Sequence, residues 1–165
     1  MKILLILSVV SASSYIGYSF GRQYKNKVIF YRDLLVFCAC VKNEVSFFKN
    51  KLSVILEKAR SNCNENYADL CKMAQQSLQE GKYLLVEEKN LSFLNFLTFN
   101  EKQAVANFFN LLGKSDGVNQ KNQIEALENI FSDYFEKAKQ DCTLKEGLYK
   151  KLGVYAGLFL AILCM

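Results

Sequence analysis

Cys38-Ala-Cys40, the adjacent carboxylates Glu87-Glu88, the pair Glu125 and Glu128, and the stretch from Gly113 to Gly117 bring reactive or ligating side chains close together in this sequence. Each pattern suggests a chemistry. Thiolates hold metals, paired carboxylates do acid–base work, and a glycine-rich turn with a lysine cradles phosphate. None meets the geometry its chemistry needs. Cys38 and Cys40 fall on a predicted helix, where positions i and i+2 point about 200° apart and cannot clasp one ion. Cys38 lies on the apolar stripe of that helix and reads as a small buried hydrophobe. Cys63 and Cys71 have no C-x-x-C partner, and Cys142 stands alone. Gly113 to Gly117, with Lys114 and Ser115, lacks the G-K-[ST] ending and the preceding strand of a phosphate loop, so it reads as a helix–helix turn. The glutamates read as a solvated face. Histidine, the commonest general base and metal ligand, is absent from the chain. The expectation is a protein that is not an enzyme, with no catalytic residue, metal site or cofactor.

The elements around these residues are dominated by the two ends of the chain. Leu152 to Met165 is uncharged and, as helix, about 21 Å long, short of the ~30 Å hydrocarbon core. Counting from Leu148, with Lys150 and Lys151 snorkelling to headgroups, brings it to about 27 Å. Ile3 to Phe20 is likewise uncharged, followed by Arg22, Lys25, Lys27 and Arg32. Two readings of this N-terminal segment compete. A secretory signal would use Ile3 to Val10 and be cut after Ala12, leaving an exported or membrane-surface helical binding protein. An anchor is favoured because the apolar stretch runs past that cut and the positive charge follows it, which holds the next segment in the cytoplasm. Lys145, Lys150 and Lys151 place the same vote at the other end. The expected organisation is an all-α, membrane-anchored helical bundle with N- and C-terminal transmembrane helices: an anchor over 1–21, a cytoplasmic bundle over 22–147 and a second membrane helix over 148–165. Gly17-x-x-x-Gly21 and Gly153-x-x-x-Gly157 are steps that let another helix approach closely. In an antiparallel hairpin they lie at matching depth, and they pack on each other or on partner subunits. In a cytoplasmic setting the six cysteines are expected as thiols.

The middle of the chain reads as helices, in a sequence without proline. Leu34, Cys38, Val41, Val45, Phe48 and Leu52 recur at steps of 4 and 3, and Asn50 is placed to cap a helix carrying Leu52, Ile55, Leu56 and Ala59. Tyr67, Leu70, Cys71, Ala74 and Leu78 form a second stripe, ending at Gly81. Leu91 to Phe99 reads as a buried connection. Thr98-Phe-Asn-Glu101 fits a capping box for a helix using Ala104, Val105, Phe108, Leu111 and Leu112. Asp116 is placed to cap a last helix on which Ile124, Leu127, Phe131, Tyr134 and Ala138 share a face. The net charge of +5 lies mostly beside the apolar ends rather than in a central stripe, which argues for a membrane surface and against nucleic acid.

Leu112-Gly-Lys-Ser-Asp116-Gly-Val-Asn-Gln120, followed by Tyr149-Lys-Lys-Leu-Gly153-Val-Tyr-Ala-Gly157, resembles the paired signature of the stage III sporulation protein AB family. There a loop of the form L-G-x-S-D-x-x-x-Q opens the final long helix, and a Y-[KR]-x-L-G-x-x-x-G segment enters the C-terminal apolar stretch. The family itself resembles the inner-membrane platform protein of type II secretion and type IV pilus systems. The resemblance implies a scaffold subunit of the secretion-like sporulation complex that links mother cell and forespore. Such a subunit sits in the mother-cell membrane facing the forespore and docks a cytoplasmic ATPase to membrane subunits of the same complex. On this reading Lys114, Asp116 and Gln120 are the partner-binding residues, with Asp116 and Gln120 also suited to cap and turn roles. Lipid is a further partner, and a homo-oligomer is allowed.

Overall fold

A computed structural model describes residues 2–43, 54, 56–57, 65–79, 88–112 and 117–163. Among these, four α-helices account for most of the chain: α1 Lys2–Asn43, α2 Glu65–Gln79, α3 Phe99–Leu112 and α4 Gly117–Leu163, with a 3-10 turn at Glu88–Leu91 between α2 and α3. Nothing in α1 or α4 interrupts the backbone hydrogen-bond ladder, since proline is absent. α1 therefore runs on through Gly21, and α4 through Gly147. The chain forms two compact units. Unit 1 is Met1–Val28 with Glu136–Met165, and unit 2 is Ile29–Phe135.

The all-α reading holds, but the transmembrane helices expected at the two ends do not. Among the described residues, no helix is long and apolar enough to cross a membrane. The physical reason is dilution and length. From Leu7 to Phe20 of α1, where the side chains are described, half of the residues are polar or amphipathic: Ser8, Ser11, Ser13, Ser14, Tyr15, Tyr18 and Ser19. In α4 the uncharged run begins only after Lys151 and is described to Leu163, about 18 Å of helix against a ~30 Å core.

Unit 2 closes around an aromatic centre. α1 supplies Phe30, Tyr31, Leu34, Phe37, Cys38 and Val41, all fully buried or nearly so. α2 adds Tyr67, Leu70, Cys71 and Ala74, α3 adds Val105, Phe108, Phe109 and Leu112, and α4 adds Ile124 and Phe131. The Phe37 ring touches Tyr67 at 5.8 Å between centroids and both Phe108 and Phe109 at 5.9 Å. Val45, Phe48, Leu52, Asn50, Gly81 and the turn at Gly113 to Asp116 lie outside the described residues.

The connection before α3 is buried only in part: Leu91, Leu94 and Leu97 enter the core, whereas Phe99 is exposed. Leu94 N–H donates to the Leu91 carbonyl and Leu97 N–H to the Leu94 carbonyl, each at 3.1 Å, so successive turns send Leu91, Leu94 and Leu97 to the core. The capping box at the start of α3 is present. The Glu101 carboxylate accepts the Thr98 backbone N–H at 2.7 Å and the Thr98 hydroxyl at 2.9 Å. Lys42 and Glu128 pair at 2.6 Å between α1 and α4 within this unit.

Candidate functional site

In unit 1, α1 and α4 run antiparallel and meet where side chains are missing. Ser13, Gly17 and Gly21 recur at steps of four on one face of α1. A Cβ added to Gly17 would stand 2.7 Å from both the Gly153 Cα and the Tyr149 carbonyl oxygen. One added to Gly153 would stand 2.8 Å from the Gly17 Cα and 2.9 Å from the Ser13 carbonyl oxygen. The obstacles are helix backbone, which cannot step aside, so only glycine permits this approach. Gly21 lies against the Glu146 carbonyl, with 3.0 Å to an added Cβ, and Gly157 against the Val10 Cα, with 3.1 Å. One glycine of each G-x-x-x-G step thus faces the other, and the remaining two meet ordinary backbone, because the two rows are offset along the axis. Ser13 completes the seam. Its hydroxyl donates to the Gly153 carbonyl oxygen at 2.7 Å. Its signal in the sequence is its place one helical turn before Gly17.

Beside the seam the charged and aromatic side chains interlock. Tyr149 stacks on Tyr24 at 5.6 Å and on Phe20 at 6.2 Å. Lys150 Nζ sits 5.3 Å from the Tyr18 ring centre, and Lys145 Nζ sits 5.6 Å from that of Tyr24. Lys150 also donates to Glu146 at 2.6 Å, and Lys145 pairs with Asp141 at 2.7 Å. The hydrogen bonds from Lys150 and then Cys142 hold the Glu146 carboxyl below its usual range. Its bond with Tyr149, then burial, push the Tyr24 phenol up. The spacing of the aromatic residues alone did not reveal this group, because it is assembled from two segments far apart in the chain.

Two of the cysteines, Cys38 and Cys142, have environments that suppress reactivity. Burial, followed by its bond to Glu146, pushes the Cys142 thiol up to about 11, and burial with Glu128 nearby pushes Cys38 up to about 12. Cys142 lines a pocket of about 410 Å³ with Val28, Lys139, Thr143, Glu146, Gly147 and Lys150. Among the described residues Cys38, Cys40 and Cys142 are free thiols, and no three His, Cys, Asp or Glu side chains converge as a metal site. Lys114 and Asp116 lie outside the described residues. Gln120 falls in the first turn of α4, its side chain outside them as well.

A family model described as stage III sporulation protein AB matches residues 2–165. The chain belongs to the stage III sporulation protein AB family. It is a sporulation protein built as a helical bundle. No curated protein and no solved structure matches it. The stretch from Tyr149 to Gly157, which carries the resemblance to this family, has a physical account in unit 1. Tyr149 stacks, Lys150 pairs with Glu146, and Gly153 and Gly157 admit α1.

Proposed function

We propose that this stage III sporulation protein is a non-enzymatic scaffold subunit of a secretion-like complex, held at the mother-cell membrane that faces the forespore. Unit 1 is the part that meets lipid and membrane subunits. Unit 2 docks a cytoplasmic ATPase through the polar edge of the 112–120 segment, where Lys114, Asp116 and Gln120 lie. The observation that supports this most is what unit 1 leaves uncovered. Tyr15, Leu152, Tyr155, Phe159 and Ile162 are each more than half exposed, on helices whose seam is already closed by glycine. Apolar side chains exposed along the outer faces of both helices suit a surface covered by something else. The reading in which the chain is cut after Ala12 is disfavoured, because the cut would remove Val10, whose backbone lies against Gly157.

Substituting Asp116→Asn separates contact from capping, since asparagine keeps the capping oxygen and loses the charge. Loss of ATPase pull-down at an unchanged melting temperature supports docking at this loop. Retained pull-down with lowered stability makes Asp116 a cap and moves the contact elsewhere. Fractionation of sporulating cells tests location: recovery of the whole chain in the soluble fraction, with none on membranes, would refute the membrane placement.

A further inference from the structure

The charge of this chain is divided unequally between its two units. Unit 1 has nine lysines and arginines against three acidic residues, a net of +6, whereas unit 2 has twelve against thirteen, a net of −1. Within unit 1 that charge is also sorted along the helices. One end presents exposed apolar side chains, among them Tyr155, Phe159 and Ile162, and holds no charge between Val154 and Leu163. Next to it come Tyr18, Arg22, Tyr24 and Lys25 of α1, with Tyr149 and Lys151 of α4. From Tyr18 to Lys25 is about 10 Å of helix at ~1.5 Å per residue, a little more than the roughly 5–8 Å of headgroup region on one side of a bilayer.

We propose that this belt binds anionic lipid headgroups, with the apolar side chains next to it lying against the acyl region. The inference rests on the membrane placement argued above and adds the chemistry of the lipid to it. Three observations support the choice of occupant. Arg22, Lys25 and Lys151 are exposed, and among the described residues none is held in an ion pair, so their charge is available to a phosphate. The carboxylates that face the belt, Asp141 and Glu146, are already engaged by Lys145 and Lys150 and subtract little from its field. The ring contacts of Tyr18 and Tyr24 with those lysines hold amphipathic aromatics at the same level, the arrangement that suits a boundary between water and hydrocarbon. An acidic protein partner would satisfy the charge, but it would leave the adjoining apolar side chains uncovered.

The experiment is flotation of the full chain with vesicles of phosphatidylcholine alone or mixed with phosphatidylglycerol, at low and high salt. The unaltered chain is expected to partition on the order of a hundredfold more strongly into the anionic vesicles at low salt, with the preference fading as salt is raised. Combined Arg22→Gln, Lys25→Gln and Lys151→Gln substitutions, outside the glycine seam, are expected to abolish that preference while binding to neutral vesicles persists. A control with Lys72→Gln, Lys102→Gln and Lys121→Gln in unit 2 removes the same charge and is expected to keep the preference. Equal partition of the unaltered chain into both vesicles, or an equal loss in the control, overturns the belt and leaves the membrane placement standing. Absence from both vesicle types, with helical circular dichroism intact, overturns the placement and the belt together.

Discussion

In unit 2 the helices are joined by rings: Phe37, Tyr67, Phe108, Phe109 and Phe131 fill the space between α1, α2, α3 and α4. In unit 1 the same two long helices, α1 and α4, are joined by the lack of side chains, with Gly17 and Gly153 back to back. Dispersion attraction falls off within an ångström or so, and either filling a gap with atoms or closing it brings surfaces into range. The two solutions fail in opposite ways. An aromatic core is damaged by removing atoms, and a glycine seam is damaged by adding them.

That opposition can be broken experimentally. The largest effect is expected for Phe37→Ala, which deletes a ring in contact with three others and leaves a cavity. Unfolding in urea should show a loss of about 3–5 kcal/mol. Gly153→Leu is expected to force α1 and α4 apart in unit 1, at about 1–3 kcal/mol or more. Hydrogen exchange should accelerate in residues 8–24 and 146–160 and stay unchanged in unit 2. Unchanged exchange throughout would mean the seam contributes nothing.

Smaller changes sharpen the same contrast. The Tyr31 hydroxyl is fully buried and, among the described residues, meets no partner at hydrogen-bonding geometry. Burial first, then the charge of the Glu101 carboxylate and its reach toward the hydroxyl, push its pKa upward. Tyr31→Phe trades the cost of a buried hydroxyl against that contact and is therefore expected to change the stability of unit 2 by no more than about 1 kcal/mol, well below the loss at Phe37→Ala, read from the same urea titration. Gly147→Ala should stabilise unit 1 by about 0.5–1 kcal/mol in thermal melts, because an added Cβ there meets nothing within 4 Å and alanine favours helix. A loss at Gly147 comparable to that at Gly153 would show that all helix glycines matter alike. Glu146, whose folded pKa is depressed, should give the smallest effect. Its contribution is present above the ordinary carboxylate value of 4.5 and lost as pH falls through the lower folded value. Glu146→Gln is expected to flatten that acid limb of the unit 1 melting profile.

Much of the helical layout was legible in the sequence because it is local. Steps of 3 and 4 identified Leu34, Cys38, Val41, Tyr67, Leu70, Val105, Phe108, Ile124 and Phe131, all of them buried. Thr98 and Glu101 announced a cap that forms. Phe30, Tyr31, Phe37 and Phe109 were not placed in the core, since each lies beside the main stripe and is buried by helices that wrap more than one face of α1 and α3. The end segments were misread as transmembrane. A count of uncharged residues treats serine and tyrosine as if they were leucine, and hydrocarbon does not.

The candidate site divides along the same line. That Gly17, Gly21, Gly153 and Gly157 permit close approach follows from residue type and spacing, because a missing Cβ is a property of the residue. Which of them meet does not follow. The offset between the two rows, the entry of Ser13 into the seam and the stacking of Tyr24 on Tyr149 depend on how one helix slides along another more than a hundred positions away in the chain. Periodicity within a segment reports the face a helix presents. The register between two segments is set only when their surfaces compete for the closest fit, and that competition takes place in three dimensions.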